Sequence, residues 1–182
     1  MSKKYFNQIA ANWDTFRESL FSVAIRDQAM AMAGVAAGKT AADIGAGTGF
    51  ITEGLLARRI SVIAVDQSEA MLAEMKAKFA GQPVTYALGD AHTIGVADQA
   101  VDYVFANMFL HHVEKPSQVI REMVRILKPG GKLVITDMDK HNNEFLHIEQ
   151  HDHWLGFKRE DIVDWFKEVG LENVKIDCAG QT

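Results

Sequence analysis

Residues 43–50 read DIGAGTGF, with three glycines at alternate positions between two apolar runs. The run that leads into them, TAADI (40–44), is typical of a buried strand, and the run that follows is typical of the start of a helix. Glycine has no side chain and adopts backbone angles that other residues avoid, so a ligand can approach such a turn closely. The stretch therefore predicts a strand, a tight turn and a helix at a binding site.

Short β-type runs alternate with amphipathic helical runs from residue 40 onward. The predicted strands are TAADI (40–44), SVIAVD (61–66), VTYALGD (84–90), AVDYVFA (100–106) and KLVITDM (132–138). Helices are predicted over the first 36 residues and over 68–80, 117–127 and 158–170. This alternation predicts an α/β fold, a three-layer αβα sandwich around a doubly wound and mostly parallel sheet.

An acidic residue ends each of the next two predicted strands. Asp66 comes 21 residues after Gly45 and could accept hydrogen bonds from two ribose hydroxyls, whereas Asp90 could face an adenine amino group in the same crevice. The glycines follow the pattern G-x-G-x-G, and Phe50 stands where the dinucleotide pattern G-x-G-x-x-G has its third glycine. The spacing therefore disfavours an NAD site.

Several stretches together resemble the class I S-adenosylmethionine-dependent methyltransferases, in the branch with the ubiquinone and menaquinone biosynthesis enzymes and related small-molecule methyltransferases. They are DIGAGTGF, Asp66, GDA (89–91), VDYVFANMFLHHV (101–113) and REMVRILKPGGKLVITD (121–137). The resemblance spans about residues 5 to 178. It implies a Rossmann-like methyltransferase fold, S-adenosyl-L-methionine as cofactor, S-adenosyl-L-homocysteine as product, and in-line transfer of the methyl group to a small-molecule acceptor.

The resemblance also implies cofactor contacts. The implied residues are Asp43, Gly45, Ala46, Gly47, Gly49, Asp66, Gln67, Asp90, Ala91 and Asn107. The glycine turn would wrap the methionine and ribose, while Asp43 would orient the turn or meet the ammonium group through water. Asp66 would hold the ribose hydroxyls, and Gln67 would lie beside the adenine, whose far edge would meet the GDA segment. Asn107 would border the methionine moiety and the departing methyl group.

The end of the chain departs from the family's pattern. In the family the sheet closes with an antiparallel pair of strands, of which only NVKIDCA (173–179) is predicted here. The final antiparallel pair is therefore expected to be incomplete, and its remaining strand would lack a neighbour. We expect the natural chain to continue past Thr182.

A chain of 182 residues is expected to form one domain with one core. Within it we expect an N-terminal helical cap (1–36), a cofactor-binding core (37–139), an acceptor-side insertion (140–160), and a last helix and strand (161–182). We find no internal repeat or low-complexity linker that would indicate a second domain.

Composition disfavours several partners. A net charge of −5 argues against electrostatic binding of nucleic acid or anionic membranes over a broad surface. No apolar run is long enough for a membrane span or a signal peptide. The single cysteine, Cys178, allows no internal disulfide and no thiolate cluster. We therefore expect a cytoplasmic protein that binds no nucleic acid. The resemblance implies a small-molecule acceptor, and we expect a monomer or homodimer.

Histidines are the candidate catalytic bases, although transfer from a sulfonium does not require a base. The candidates are His111 and His112, which follow the fourth predicted strand, and His151, in the histidine-rich segment 137–157. Hydrogen bonds that stabilise the loop are the alternative role for the first two. We predict no metal site, although His147 and His151 stand four residues apart, as metal-binding histidines can; a polar surface helix and a polar acceptor pocket are the alternatives.

The N-terminal segment YFNQIAANWDTF (5–16) resembles the aromatic opening helix that covers the cofactor in the family. Tyr5 and Trp13 could cap the site, or they could pack into the core. Two rival functions stay open. The chain could bind S-adenosylmethionine as a sensor or inactive partner subunit, or it could be an NAD-dependent oxidoreductase.

Overall fold

The computed structural model describes residues 2–18, 22–143 and 153–179 and contains a five-stranded sheet. Its strands are β1 Thr40–Ile44, β2 Ser61–Asp66, β3 Val84–Leu88, β4 Val101–Asn107 and β5 Leu127–Thr136. All their pairings are parallel, in the order β3-β2-β1-β4-β5. The predicted α/β sandwich with a doubly wound parallel sheet is confirmed.

Helices precede, connect and follow these strands. They are α1 Ser2–Ile9, α2 Trp13–Glu18, α3 Val23–Ala33, α4 Phe50–Ala57, α5 Glu69–Lys78, α6 Pro116–Arg125 and α7 Arg159–Glu168, with 3-10 helices at Ala10–Asn12 and Leu110–His112. Among the described helices, none has the length and apolar character that crossing a membrane needs. The N-terminal part is helical, as predicted, whereas the division into four regions stays a prediction.

Local sequence explains where these helices begin and end. At the start of α5, the Ser68 hydroxyl accepts a hydrogen bond from the Met71 N–H at 3.1 Å, which satisfies one free donor of the first turn. Helix α3 ends at Gly34, whose φ of 58° is left-handed, and Lys132 donates to the Ala33 carbonyl at 2.7 Å. Both ends therefore follow from residues readable in the sequence.

The strands bury side chains on both faces of the sheet. On one face Ala41, Val62 and Phe105 pack with α3 and α4, and Ala64 packs with α5. On the other face a larger cluster packs with α6 and α7; its buried strand members are Ala42, Ile44, Val65, Val101, Val104, Ala106 and Leu127. Successive residues of a strand point to opposite faces, so two-sided burial needs the continuous apolar runs seen here.

Strand β5 starts earlier than predicted. Its pairing with β4 skips from Val101–Leu127 to Tyr103–Lys132, so residues 128–131 form a bulge inside the strand. The predicted strand started at Lys132, after a helix predicted to end at residue 127. The bulge places Lys128 within 3.0 Å of the Asp102 carboxylate, which also accepts the Thr40 N–H at 3.0 Å. This contact ties β5 to β4 and β1 at the amino ends of the strands.

The prediction of a strand over 173–179 is wrong. Residues 171–179 carry no regular secondary structure, and β5 is the last strand of the sheet on that side. One observed contact of this segment is the hydrogen bond from Gln28 Nε2 to the Cys178 carbonyl at 3.2 Å. A β-type run forms a strand only where a neighbour satisfies its backbone groups, and the described residues supply no such neighbour.

Candidate functional site

A cavity of about 260 Å³ opens at the carboxyl ends of β1, β2 and β4, where the strand order reverses. Nine of the ten predicted cofactor-binding residues line it: Asp43, Gly45, Ala46, Gly47, Asp66, Gln67, Asp90, Ala91 and Asn107. The tenth, Gly49, does not. The topology therefore brings together residues that are up to 64 positions apart in the chain.

The three glycines of the turn have left-handed φ angles, and each one meets a different neighbour. A Cβ at Gly45 would overlap the ring of Phe109, and a Cβ at Gly47 would lie 3.5 Å from Nε1 of Trp13. A Cβ at Gly49 would overlap Phe79, on the side of the turn away from the cavity. Two glycines thus shape the cavity wall, and the third lets the turn pack against α5.

Asp66 ends β2 and joins two loops of the cavity. Its Oδ2 accepts the Gly47 N–H at 2.8 Å, and its Oδ1 accepts the Ser68 N–H at 2.8 Å. Burial raises the pKa of this carboxyl, and the backbone donors oppose that shift. The Gln67 N–H is a third backbone donor to this carboxylate. Because the two oxygens together offer about four acceptor positions, one position stays open to a ligand.

Asp43 lies at the end of β1 and is 2% exposed. Its Oδ2 accepts hydrogen bonds from the Thr52 hydroxyl at 2.7 Å and the Thr52 N–H at 3.1 Å, so it caps the first turn of α4. Burial raises the pKa of Asp43 to about 7, because desolvation penalises the charged carboxylate more than the Thr52 donors favour it. The turn is thereby fixed to the helix that follows.

Asp43 makes stability depend on pH. Its pKa is higher in the folded chain than its ordinary value of 3.8, so the folded state holds the proton more tightly. The resulting stability is fully present below about pH 4 and is lost as the pH rises through about 7. Relative to Asp43→Asn, we expect the wild-type free energy of unfolding to fall by up to about 1.4 kcal/mol per pH unit in that range.

Urea unfolding at several pH values measures this difference. Asp27→Asn is the matched control, because Asp27 is half-exposed and pairs with Arg58 away from the cavity. It should leave the pH profile of wild type unchanged. A constant difference between wild type and Asp43→Asn across the range would contradict the burial of an ionisable Asp43.

Asp90 follows β3 and contacts His92, which we did not predict as a site residue. Its Oδ1 accepts the His92 N–H at 2.7 Å and lies 2.7 Å from His92 Nδ1. The backbone donor of His92 is the main reason that the pKa of Asp90 is lowered. His92 also lines the cavity, and its position two residues after Asp90 was the available signal.

Asn107 closes the floor of the cavity at the end of β4. Its Oδ1 accepts the hydroxyl of Thr136, the last residue of β5, at 2.6 Å. The neighbouring Met108 has a φ of 48°, which turns the chain sharply away from the sheet. These contacts hold the β4 end against β5.

The N-terminal helices cover the cavity through Phe6, Trp13 and Arg17. Capping of the site was one of the two roles left open for Trp13 and Tyr5. Trp13 lines the cavity, whereas Tyr5 does not and instead contacts Phe6 edge-to-face at 5.3 Å. The spacings of seven and four residues are typical of one helical face and are a signal for Phe6 and Arg17, although the 3-10 helix Ala10–Asn12 separates Phe6 from the other two. Arg17 is 8% exposed, and its guanidinium lies 4.4 Å from the Phe50 ring centroid.

Two short hydrogen bonds fasten this cover to the cavity loops. The Ser68 hydroxyl donates to Asn7 Oδ1 at 2.6 Å, and the Thr48 hydroxyl donates to Asp14 Oδ1 at 2.6 Å. Lys78 adds an ion pair to Asp14 at 3.1 Å. The N-terminal helices are thus tied to the loops after β1 and β2.

The candidate catalytic histidines occupy different environments. His112 lines the cavity, whereas His111 does not and lies 2.7 Å from Asp137 through Nδ1. His153, which we did not single out as catalytic, also lines the cavity. His147 and His151 lie outside the described residues. Over residues 2–18, 22–143 and 153–179, no group of three or more histidine, cysteine or acidic residues could hold a metal ion.

Comparison with known proteins identifies the relatives of this chain. Residues 42–135, just over half of the sequence, match the methyltransferase domain family. The chain is 30% identical over 141 residues to 2-methyl-6-phytyl-1,4-hydroquinone methyltransferase 2 of Oryza sativa, a match that covers 76% of this chain and 40% of that protein. The chain spans less than half the length of the curated relatives that it matches.

Solved structures show the same fold. A chain of the complex between the Haloferax volcanii Trm112 methyltransferase activator and a methyltransferase superposes with a TM-score of 0.81 at 21% identity, covering 95% of this chain and 83% of that one. A phosphoethanolamine N-methyltransferase of Haemonchus contortus, in complex with phosphomonomethylethanolamine and S-adenosylhomocysteine, superposes with a TM-score of 0.70 at 26% identity. That match covers 81% of this chain and 37% of that one.

Proposed function

We propose that this chain, which belongs to the class I S-adenosylmethionine-dependent methyltransferases, transfers the methyl group of S-adenosylmethionine to a small-molecule acceptor. The observation that carries the proposal is the buried Asp66 carboxylate, which lines the cavity at the end of β2 and holds the glycine turn through the Gly47 N–H. The sulfonium supplies an electrophilic methyl group. The chain therefore has to hold the acceptor in line and exclude water.

The residues at the β2 and β3 ends fit the nucleoside part of the cofactor. Asp66 keeps an open acceptor position toward the ribose hydroxyls, and Gln67 lies beside it on the cavity wall. Asp90 and Ala91 form the far side, where Asp90 would accept from the adenine amino group and His92 would orient its carboxylate. Two of the carboxylates that line the cavity would thereby bind the nucleoside part.

The β1 turn and the N-terminal helices fit the amino-acid part. Asp43 supports the turn by capping α4 and offers a carboxylate to the ammonium group through water. Arg17, which lies over the Phe50 ring at the first residue of α4, would pair with the carboxylate of the methionine moiety. Asn107 would border this moiety from the end of β4.

Replacing Arg17 with Met should weaken S-adenosylhomocysteine binding by about tenfold, because one charge-assisted hydrogen bond contributes roughly 1.5–3 kcal/mol. Titration with methylthioadenosine, which lacks the amino-acid part, is the matched ligand control and should show unchanged affinity. Arg58→Met, at an arginine outside the cavity that pairs with Asp27, is the matched protein control. If Arg17→Met lowered the affinity for both ligands equally, Arg17 would not contact the amino-acid part of the cofactor.

The acceptor would bind where Phe6, Trp13, His112 and His153 face the cavity. The Phe6 ring meets the His112 ring edge-to-face at 5.2 Å, so an aromatic wall surrounds a proton acceptor. Of the candidate bases, His112 is better placed than His111 to take a proton from the methyl acceptor, because it lines the cavity. His111 would support the loop. The role of His151 stays a prediction.

The N-terminal helices would act as a lid. Phe6 and Trp13 cover the cavity, and the cofactor could exchange when the bonds of Asn7 and Asp14 to the loops open. Closure would exclude water from the methyl group during transfer.

A turnover assay separates this function from a sensor or an inactive partner subunit. Wild type incubated with S-adenosylmethionine and a panel of phenols, amines, thiols and acidic carbon compounds should release S-adenosylhomocysteine faster with at least one acceptor than without. Binding of S-adenosylmethionine with no turnover across the panel would favour the sensor. Binding of NAD in place of S-adenosylmethionine would favour an oxidoreductase.

A further inference from the structure

Asp137 follows the last residue of β5 and is a buried acid outside the set predicted to bind the cofactor. Its side chain is 7% exposed and accepts four hydrogen bonds. The N–H groups of Leu110 and His111 reach Oδ2 at 2.9 and 3.4 Å. The Met138 N–H and His111 Nδ1 lie 2.8 and 2.7 Å from Oδ1. The carboxylate therefore binds both the backbone and the ring of His111.

This contact fixes the protonation of the His111 ring. An ionised carboxylate can only accept hydrogen bonds, so the proton between Asp137 and His111 lies on Nδ1. In the neutral imidazole, Nε2 then carries the lone pair. Asp137 thus sets both the orientation and the tautomer of a histidine that is 4% exposed.

His111 in turn contacts two of the three histidines that line the cavity, His112 and His153. Its ring centroid is 4.0 Å from that of His112, and its carbonyl accepts the N–H groups of His153 at 2.9 Å and Trp154 at 3.1 Å. Trp154 Nε1 also donates to the Val113 carbonyl at 2.9 Å, which secures the same two segments. The Asp137–His111 pair therefore joins the end of β5, the 3-10 helix 110–112 and residues 153–154.

A buried carboxylate adds little net stability, because the cost of its desolvation offsets much of what its hydrogen bonds contribute. What such a carboxylate can specify is geometry, by locking the side chains that form a site. We propose that Asp137 is a positioning residue, which acts through His111 to hold the His112 and His153 imidazoles on the acceptor side of the cavity. The acceptor side is defined by the proposed function, on which this inference rests.

Ring ¹⁵N NMR of the histidine-labelled full chain tests the proposal without knowledge of the acceptor. Asp137→Asn leaves one acceptor oxygen where the carboxylate has two, so the His111 Nδ1–H tautomer should lose population. The ring signals of His112 and His153 should shift or broaden as well. Calorimetric affinity for S-adenosylhomocysteine should stay within about twofold, because the cofactor loops keep their contacts.

Asp139→Asn is the matched control. Asp139 lies two residues further along the chain and pairs with Arg159 at 2.6 Å, with both side chains about half-exposed. Its replacement removes a carboxylate from the same segment without touching His111. The ring signals of His112 and His153 should remain as in wild type.

A second pair of variants keeps the test valid if Asp137→Asn does not fold. In His111→Asn, the amide Nδ2 can donate to Asp137 from about the place of the imidazole Nδ1, so the His112 and His153 signals should be retained. In His111→Leu, which has no donor, they should shift or broaden.

Two results would overturn the proposal: unchanged His112 and His153 signals in both Asp137→Asn and His111→Leu, or a loss of S-adenosylhomocysteine affinity of about tenfold or more in Asp137→Asn. Failure of wild type to bind S-adenosylhomocysteine would instead contradict the proposed function. The NMR comparison would still decide whether Asp137 positions the two histidines.

Discussion

Replacing Asp66 with Asn lowers the affinity for S-adenosylhomocysteine by about 30-fold or more, because a hydrogen bond to a charged acceptor contributes roughly 1.5–3 kcal/mol and the ribose hydroxyls lose that acceptor. The same change weakens the hydrogen bonds of Asp66 to the Gly47 and Ser68 N–H groups, which hold the turn in place. Calorimetric titration of both proteins measures the ratio of affinities.

The control for Asp66→Asn is Asp27→Asn, which removes one exposed carboxylate from α3 and leaves the cavity intact. Thermal unfolding of each variant shows whether the fold is preserved at the temperature of the titration. An affinity of folded Asp66→Asn within about threefold of wild type, a difference below 1 kcal/mol, would mean that Asp66 does not bind the ribose.

Replacing Gly45 with Ala costs about 2–5 kcal/mol of unfolding free energy and removes most cofactor binding. The new methyl group would overlap the Phe109 ring, and the φ of 67° is left-handed. Left-handed geometry accounts for about 1–2 kcal/mol and overpacking for about 1–3 kcal/mol. Urea unfolding measures the loss.

Gly81→Ala separates these two causes. Gly81 has a similar φ of 78°, but a Cβ there meets nothing within 4 Å, so only the backbone cost of about 1–2 kcal/mol remains. The double variant Gly45→Ala/Phe109→Ala removes the overlap and should show a favourable coupling of about 1 kcal/mol or more. A Gly45→Ala cost no larger than that of Gly81→Ala would contradict the close approach of Phe109.

The sheet and most of the cavity could be predicted because their signals are local. Continuous apolar runs predict buried strands, and parallel strands bring their carboxyl ends to one edge, so Asp43, Asp66, Asp90 and Asn107 were expected to converge. Gly49 shares the pattern of its neighbours but faces Phe79. Spacing alone does not show which side of a turn each glycine presents.

Which residues of the N-terminal helices and which histidines reach the cavity depends on details that the sequence does not specify. The 3-10 helix Ala10–Asn12 separates α1 from α2, and Phe6 rather than Tyr5 reaches the cavity. His111 and His112 are adjacent, yet the 3-10 helix that carries them buries one against Asp137 and presents the other to the cavity. A shift of one residue in helical phase decides which side chain faces the cavity. The periodicity of a single sequence does not determine that phase.

The prediction of a last strand was wrong because a strand depends on pairing with a neighbour that lies elsewhere in the chain. NVKIDCA has β-type alternation, but a strand requires hydrogen bonds to a neighbour. Beside Cys178 the structure shows the Gln28 side chain as a donor and no strand pairing in residues 171–179. Local propensity therefore predicted an element that only tertiary pairing could have formed.

Calorimetric titration of the wild-type chain with S-adenosylhomocysteine tests the central claim most directly, namely that the cavity at the ends of β1, β2 and β4 binds this class of nucleoside. We predict saturable binding of one molecule per chain, competition by S-adenosylmethionine, and no binding of NAD. Absence of binding heat together with an unchanged thermal unfolding temperature at saturating ligand would contradict the claim.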